Sequence, residues 1–303
     1  MTYEVVYDVV VVGGGPAGLA GAVVLGRALR SVLVVDANEP RNARAAQVHN
    51  VLTRDGVSPR ELLAAARADA ERYGVRFRSG TVRRVTGAVP DFRVELADGG
   101  FARARRVLVA TGLADVLPEI PGLAERWGRS VLHCAHCHGH EVRGRAVGLL
   151  GDSLAVVMNT LLWRQWTEDV VLFLNDAVDL DAGQRARLDA RGVRVVGGRV
   201  SAFTGEGVEL ADGTVVAREV LALHTRVEAR AGFLAPLGLL PAELPMGLGT
   251  HLPVEDPTGR TRVPGVFVAG NACDAWAQVA SSAAAGVTAG EALTMDLVMA
   301  ESV

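Results

Sequence analysis

The chain has 303 residues, half of them hydrophobic and 21% charged, with a formal net charge of -3. That is length enough for two packed domains, and too little net charge to point to a nucleic acid or an anionic membrane as partner. No run approaches the ~20 apolar residues of a membrane span, and Met1-Thr2-Tyr3-Glu4 lacks the basic and apolar regions of a signal peptide, so a cytoplasmic protein is expected. Three cysteines exclude a disulfide scaffold, and a Cys-x-x-Cys in a reducing compartment points to catalysis or metal binding.

Residues 7–12 form an apolar run that ends in Gly13-Gly14-Gly15-Pro16-Ala17-Gly18; residues 17–29 read as a helix and 31–36 as a second buried strand. This is a βαβ unit. Gly13, Gly15 and Gly18 fit the G-x-G-x-x-G spacing: a tight turn, close approach of a pyrophosphate, and helix packing on the strand. Asp36, at the end of the second strand, is placed for ribose hydroxyls, and the helix start offers free N–H groups to the anion.

Residues 106–112 predict another buried strand, and Leu117-Pro118-Glu119-Ile120-Pro121-Gly122 a connector at a domain boundary. The Cys-x-x-Cys follows in His133-Cys134-Ala135-His136-Cys137-His138-Gly139-His140. A spacing of three at a helix start puts both sulfurs on one side, and a helix start or a nearby imidazolium lowers a thiolate pKa. The histidines suit proton transfer to and from thiols near neutral pH, though spacing does not single out the base. Cys134-x-x-Cys137-His138 also fits the c-type haem attachment pattern, and Cys with His neighbours fits zinc. Haem attachment lacks its export context here, and no second ligand pair accompanies the motif, so no metal is expected.

A second βαβ follows, with strands at 146–151 and 169–174 and a helix at 154–165. In Gly148-Leu149-Leu150-Gly151-Asp152 a leucine stands for the second glycine, Asp152 puts a carboxylate beside the phosphate position, and Phe173-Leu174-Asn175-Asp176 carries no arginines for a 2′-phosphate. The turn therefore reads as degenerate, the alternative being a variant that still takes NAD(H). Residues 265–271 form a last buried strand and 277–299 a closing helix. Cys273 reads as a small buried residue, and Trp127, Trp163, Trp166 and Trp276 as core, interface or pocket.

The chain resembles the thioredoxin-reductase-like flavoproteins almost end to end, through Gly13-Gly14-Gly15-Pro16-Ala17-Gly18, Pro40-Arg41-Asn42-Ala43, Ala110-Thr111-Gly112, the Cys-x-x-Cys with His138-Gly139, and Val268-Ala269-Gly270-Asn271 with Gln278-Val279. Cys-x-x-Cys-His-Gly-x-Glu and Ala-Gly-Asn resemble the branch of dithiol oxidases in gliotoxin, holomycin and romidepsin biosynthesis. The resemblance implies an α/β fold of two three-layer Rossmann-like domains, an FAD domain of residues 1–115 and 231–303, an inserted NAD(P)-like domain of residues 116–230 carrying the dithiol, and a homodimer. It implies FAD contacts at Gly13, Gly15, Gly18, Asp36, Asn42, Thr111, Gly112, Asn271, Gln278 and Val279. It places Cys137 toward the flavin, Cys134 toward substrate, and His133 or His138 as base. The expected function is oxidation of a small-molecule dithiol, with electrons passing through FAD to O2 as hydrogen peroxide. An NAD(P)H-dependent disulfide reductase is the alternative.

Overall fold

A computed structural model describes residues 5–302; Met1-Thr2-Tyr3-Glu4, read above as lacking the features of a signal peptide, lies outside them. In chain order come β1 (Val6–Val12), α1 (Pro16–Arg27), β2 (Val32–Asp36), α2 (Pro59–Glu71), β3 (Arg76–Ser79), β4 (Val82–Ala88), β5 (Asp91–Leu96), β6 (Phe101–Val109) and β7 (Leu113–Val116). Next are α3 (Leu123–Arg126), β8 (Val131–Leu132), α4 (Ala135–His138), β9 (Val147–Leu150), α5 (Ala155–Trp163), β10 (Val170–Phe173), α6 (Ala182–Asp189) and β11 (Arg194–Val196). The chain closes with β12 (Val200–Phe203), β13 (Val208–Leu210), β14 (Val215–Val216), β15 (Val220–Ala222), β16 (Arg226–Ala229), β17 (Ala242–Glu243), β18 (Thr250–His251), β19 (Val266–Val268) and α7 (Val279–Glu301).

Two compact units result: residues 1–43, 47–115 and 227–303, and residues 44–46 with 116–226. The return crossing falls at 226/227, four residues before the expected position, where Arg226–Ala229 forms β16 and pairs with β7. In the first unit β3-β2-β1-β6 continue into the antiparallel β5 and β4, and β19 runs parallel to the second half of β6. The fully apolar run of β1 reflects burial on both faces: Val9 and Val11 enter one core while Val10 and Val12 enter the other. The second unit repeats this around the parallel sheet β11-β10-β9-β15-β8, with Leu149 and Leu172 on one face and Leu150 and Phe173 on the other. This is the thioredoxin-reductase-like α/β architecture with Rossmann-type sheets. Glycines let α1 and α7 touch backbone to backbone, since a Cβ on Gly286 would lie 2.0 Å from the Ala17 carbonyl oxygen.

Candidate active site

In the first unit β1, β6 and β19 end together beside the starts of α1 and α7. The Gly13 N–H donates to the Val35 carbonyl at 2.8 Å, which pins the turn to the end of β2. Gly13 has φ +107°, and a Cβ there would sit 2.4 Å from the Ala110 oxygen; on Gly18 it would sit 1.9 Å from the Gly13 oxygen. A Cβ on Gly15, by contrast, would meet nothing within 4 Å beyond its chain neighbours. The turn is therefore closed where it meets the sheet and open at its middle glycine, as a pyrophosphate cradle must be. Asp36 accepts from the Gly14 N–H at 2.9 Å, leaving its second oxygen for a ribose.

Two further observations fit a dinucleotide at this cradle. Helices α2 and α6 carry full capping boxes, Ser58 with Glu61 and Asp181 with Gln184, whereas α1 and α7 begin without a side-chain cap and with no acidic residue in the first turn. Their first N–H groups are left for an anion. The Thr111 hydroxyl, at the end of β6, is buried with no hydrogen-bond partner, a state that buried polar groups seldom keep. Gly112 beside it has φ +65° and open space around its α-carbon.

The remaining residues expected here occupy supporting positions. Arg41 makes a bidentate pair with Asp115 at 2.7 and 2.6 Å and donates to the Asn271 side-chain oxygen at 3.4 Å. The Asn271 amide donates to the carbonyls of Asp274 and Ala277, so this side chain ties the loop before α7 in place. Gln278 is the N-cap of α7 and accepts from Asn50; Val279 opens the helix, and Asn42 lies half-buried in the turn after Arg41. Sequence reading missed the Arg41 clamp, whose only trace was its place beside Asn42.

In the second unit Cys134 and Cys137 are joined in a disulfide, immediately after β8. The helix expected there is a single turn, α4, so its dipole is small. The specific stabiliser is the Cys137 N–H, which donates to Cys134 Sγ at 3.1 Å. That bond favours Cys134 as a thiolate when it is displaced from a mixed disulfide. Gly139 is required by packing, because a Cβ would lie 2.5 Å from the Trp166 ring, which also meets the His136 ring edge-on. His138 is half-buried at the end of α4, while His133 packs edge-on against His224 at 5.8 Å between ring centroids.

The second turn is altered, but in a register different from the one expected. Strand β9 runs through Leu150, and the Gly151 N–H donates to the Phe173 carbonyl at 2.7 Å as Gly13 does to Val35. Gly151 is therefore the counterpart of Gly13, retained for the tight turn, and Gly148 is an ordinary strand residue. Asp152, Ser153 and the buried Val156 then stand where Gly14, Gly15 and Gly18 stand in the first unit. The middle glycine is lost, and a carboxylate enters the position where an anion would bind. After β10, Asn175 donates to the Gly151 carbonyl and accepts from the Val200 N–H, a structural role.

His224, at the end of β15, carries no sequence signal and was missed. Its Nδ1 lies 4.0 Å from Asp152 Oδ1, is buried, and makes no hydrogen bond. Burial pushes the Asp152 carboxyl above its ordinary value of 3.8, partly offset by attraction to His224. The folded state thus holds this proton more tightly than the unfolded chain, so the associated stability is present below pH 3.8 and lost as pH rises through the raised value. Asp152→Asn is accordingly expected to raise the melting temperature at neutral pH, with the gain shrinking in melts run near pH 4.

Burial and the nearby Asp274 push the Cys273 thiol up to about 11, so it stays protonated at neutral pH. Cys273→Ser is expected to leave dithiol-driven flavin reduction within about twofold of the parent in stopped-flow traces. Among the tryptophans, Trp163 is buried in the core, Trp127 and Trp166 are half-buried, and Trp276 is exposed.

The pattern of the pyridine nucleotide-disulphide oxidoreductases matches residues 7–286. The chain belongs to this family. Members of this oxidoreductase family named thioredoxin reductases are flavoproteins, typically with FAD. Among the relatives, thioredoxin reductase tcpT of Claviceps purpurea is 33% identical over 89% of this chain and 88% of its own length. Thioredoxin reductase sirT of Leptosphaeria maculans is 30% identical over 98% and 96%. The crystal structure of HlmI superposes with a TM-score of 0.90 at 43% identity, covering 98% of this chain and 94% of that one. The chain is thus a thioredoxin-reductase-like disulfide oxidoreductase, and among its described residues no helix is long and apolar enough to cross a membrane.

Proposed function

We propose that this oxidoreductase is an FAD-dependent dithiol oxidase that closes a disulfide in a small-molecule dithiol. The observation that carries the reading is the turn after β9, where Asp152, Ser153 and Val156 replace the residues a pyrophosphate needs while the neighbouring Cys134–Cys137 pair is intact. The cradle of Gly13, Gly15, Gly18 and Asp36, with Thr111 and Gly112, would hold FAD; Asn271, Gln278 and Val279 would frame its second helix start, and Asn42 the adjoining loop. A substrate thiolate attacks Cys134, Cys137 leaves as thiolate, and the second substrate thiol then displaces Cys134 as the substrate disulfide forms. His133 or His138 takes a thiol proton. When bound, FAD would supply the two-electron acceptor and the link to O2, with hydrogen peroxide as product. The same reading includes a cytoplasmic location and a homodimer, the latter supported by the exposed Val287, Met295, Val298 and Met299 on α7.

Oxygen uptake and peroxide release in the presence of small dithiols test this. One peroxide per disulfide formed is expected, and a flavin that dithiols reduce but oxygen does not reoxidise would remove the oxidase step. The second reading, a nicotinamide-dependent reductase, draws on the retained Gly151 and on the names of the relatives.

A further inference from the structure

Three adjacent parallel strands of the second unit, β9, β15 and β8, end side by side and deliver Asp152, His224 and His133, the last directly before Cys134. His224 is central: the His133 ring meets it edge-on at 5.8 Å, and Asp152 Oδ1 lies 4.0 Å from its Nδ1. That separation is within ion-pair range and about an ångström beyond a hydrogen bond. The Ser153 hydroxyl donates to the same Asp152 oxygen at 3.1 Å. A buried imidazole nitrogen with no hydrogen bond, facing a carboxylate whose side chain is 30% exposed, is costly unless the pair shares a charge at some stage of the reaction.

We infer that Asp152 and His224 are positioning residues that hold the proton leaving the substrate dithiol, by stabilising positive charge on the paired His133 and His224 imidazoles. The inference rests on the dithiol reading for its substrate. The dithiol gives up two electrons and two protons as its S–S bond forms and the Cys134–Cys137 bond breaks. One proton goes to the histidine pair, the other to Cys134, and Cys137 is left as thiolate. Two adjacent imidazoles accept one proton readily only if a carboxylate balances the charge, which is the role an aspartate plays behind a catalytic histidine. The ionisable groups at these strand ends include Asp152, His224, His133 and the cysteine pair, with His136 and His138 in α4, Arg226 two residues beyond His224, and Asp176 beyond the end of the next strand, β10. The same carboxylate explains why the former nucleotide turn carries a residue that costs stability.

The test compares the flavin-loaded parent with Asp152→Asn, Asp152→Glu and His224→Gln, each mixed anaerobically with dithiothreitol. Two readouts are followed: flavin absorbance, and the number of cysteines alkylated at timed quenches, read by mass. Asp152→Asn and His224→Gln are expected to slow cysteine reduction about tenfold or more near pH 7, with the deficit closing near pH 9.5, where the probe supplies its own thiolate. Asp152→Glu should recover part of the rate. A deficit equal at all pH values, or parent-like rates in either folded variant, would overturn the relay. Should Asp152→Asn fail to fold, His224→Gln carries the same comparison. If the parent flavin stays oxidised with every dithiol while the variants still lag in alkylation, the oxidase reading falls and the relay stands.

Discussion

Cys137→Ser is expected to bind flavin and fold like the parent, yet to lose flavin reduction by dithiols by at least about a thousandfold. The substitution removes the S–S bond that the substrate must break, and a serine hydroxyl neither forms a disulfide nor ionises near neutral pH. Cys134→Ser should fail differently. With the roles proposed above, it would leave Cys137 as the free, flavin-facing thiolate but offer the substrate no sulfur to attack, so turnover should be lost while a thiolate-dependent change in the flavin spectrum persists. Spectra of the two variants with and without dithiol separate these outcomes. Normal turnover by Cys134→Ser would reverse the roles given to the two sulfurs.

The second large effect concerns the amino-terminal turn. Gly18→Ala puts a methyl group 1.9 Å from the Gly13 carbonyl oxygen, and this obstacle is backbone, not a movable side chain. Helix α1 must shift off β1, at a cost on the order of 3 kcal/mol or more, so soluble yield and melting temperature should both fall. Gly15→Ala is the informative contrast. Its φ is -77° and no atom lies within 4 Å of the added methyl, so the flavin-free protein should melt like its parent. Flavin affinity should nevertheless drop about tenfold or more, because the methyl occupies the place a pyrophosphate needs. Equal flavin affinity in Gly15→Ala would move the cofactor site away from this turn.

Both βαβ units were legible from sequence because their strands are buried on both faces and so appear as unbroken apolar runs, as in Val9–Val12 and Val170–Phe173. The hairpin of β4 and β5 and the small sheet β12-β13-β14 were not, since short, half-exposed strands such as Val82–Ala88 alternate with arginine and glycine and carry no long run. At the first turn, glycine spacing located the bend, because Gly13 and Gly18 are each forced by a backbone contact, while Gly15 between them is left open. At the second, spacing alone misplaced the register by three residues: Gly148 lies inside a strand, and only the Gly151 hydrogen bond to Phe173 fixes where the turn begins. His224 was invisible for a related reason. Its partners His133 and Asp152 lie 91 and 72 positions away, and only the parallel pairing of β15 with β8 and β9 brings them to it.

Anaerobic mixing of the purified flavin-loaded protein, in separate experiments, with a small dithiol, with NADPH and with NADH, followed by flavin absorbance, separates an oxidase from a reductase. The dithiol alone should bleach the flavin, and admitting air should restore it with release of hydrogen peroxide. Rapid bleaching by either nicotinamide would show that the turn of Gly151, Asp152 and Ser153 still holds a pyrophosphate, and would make the enzyme a reductase.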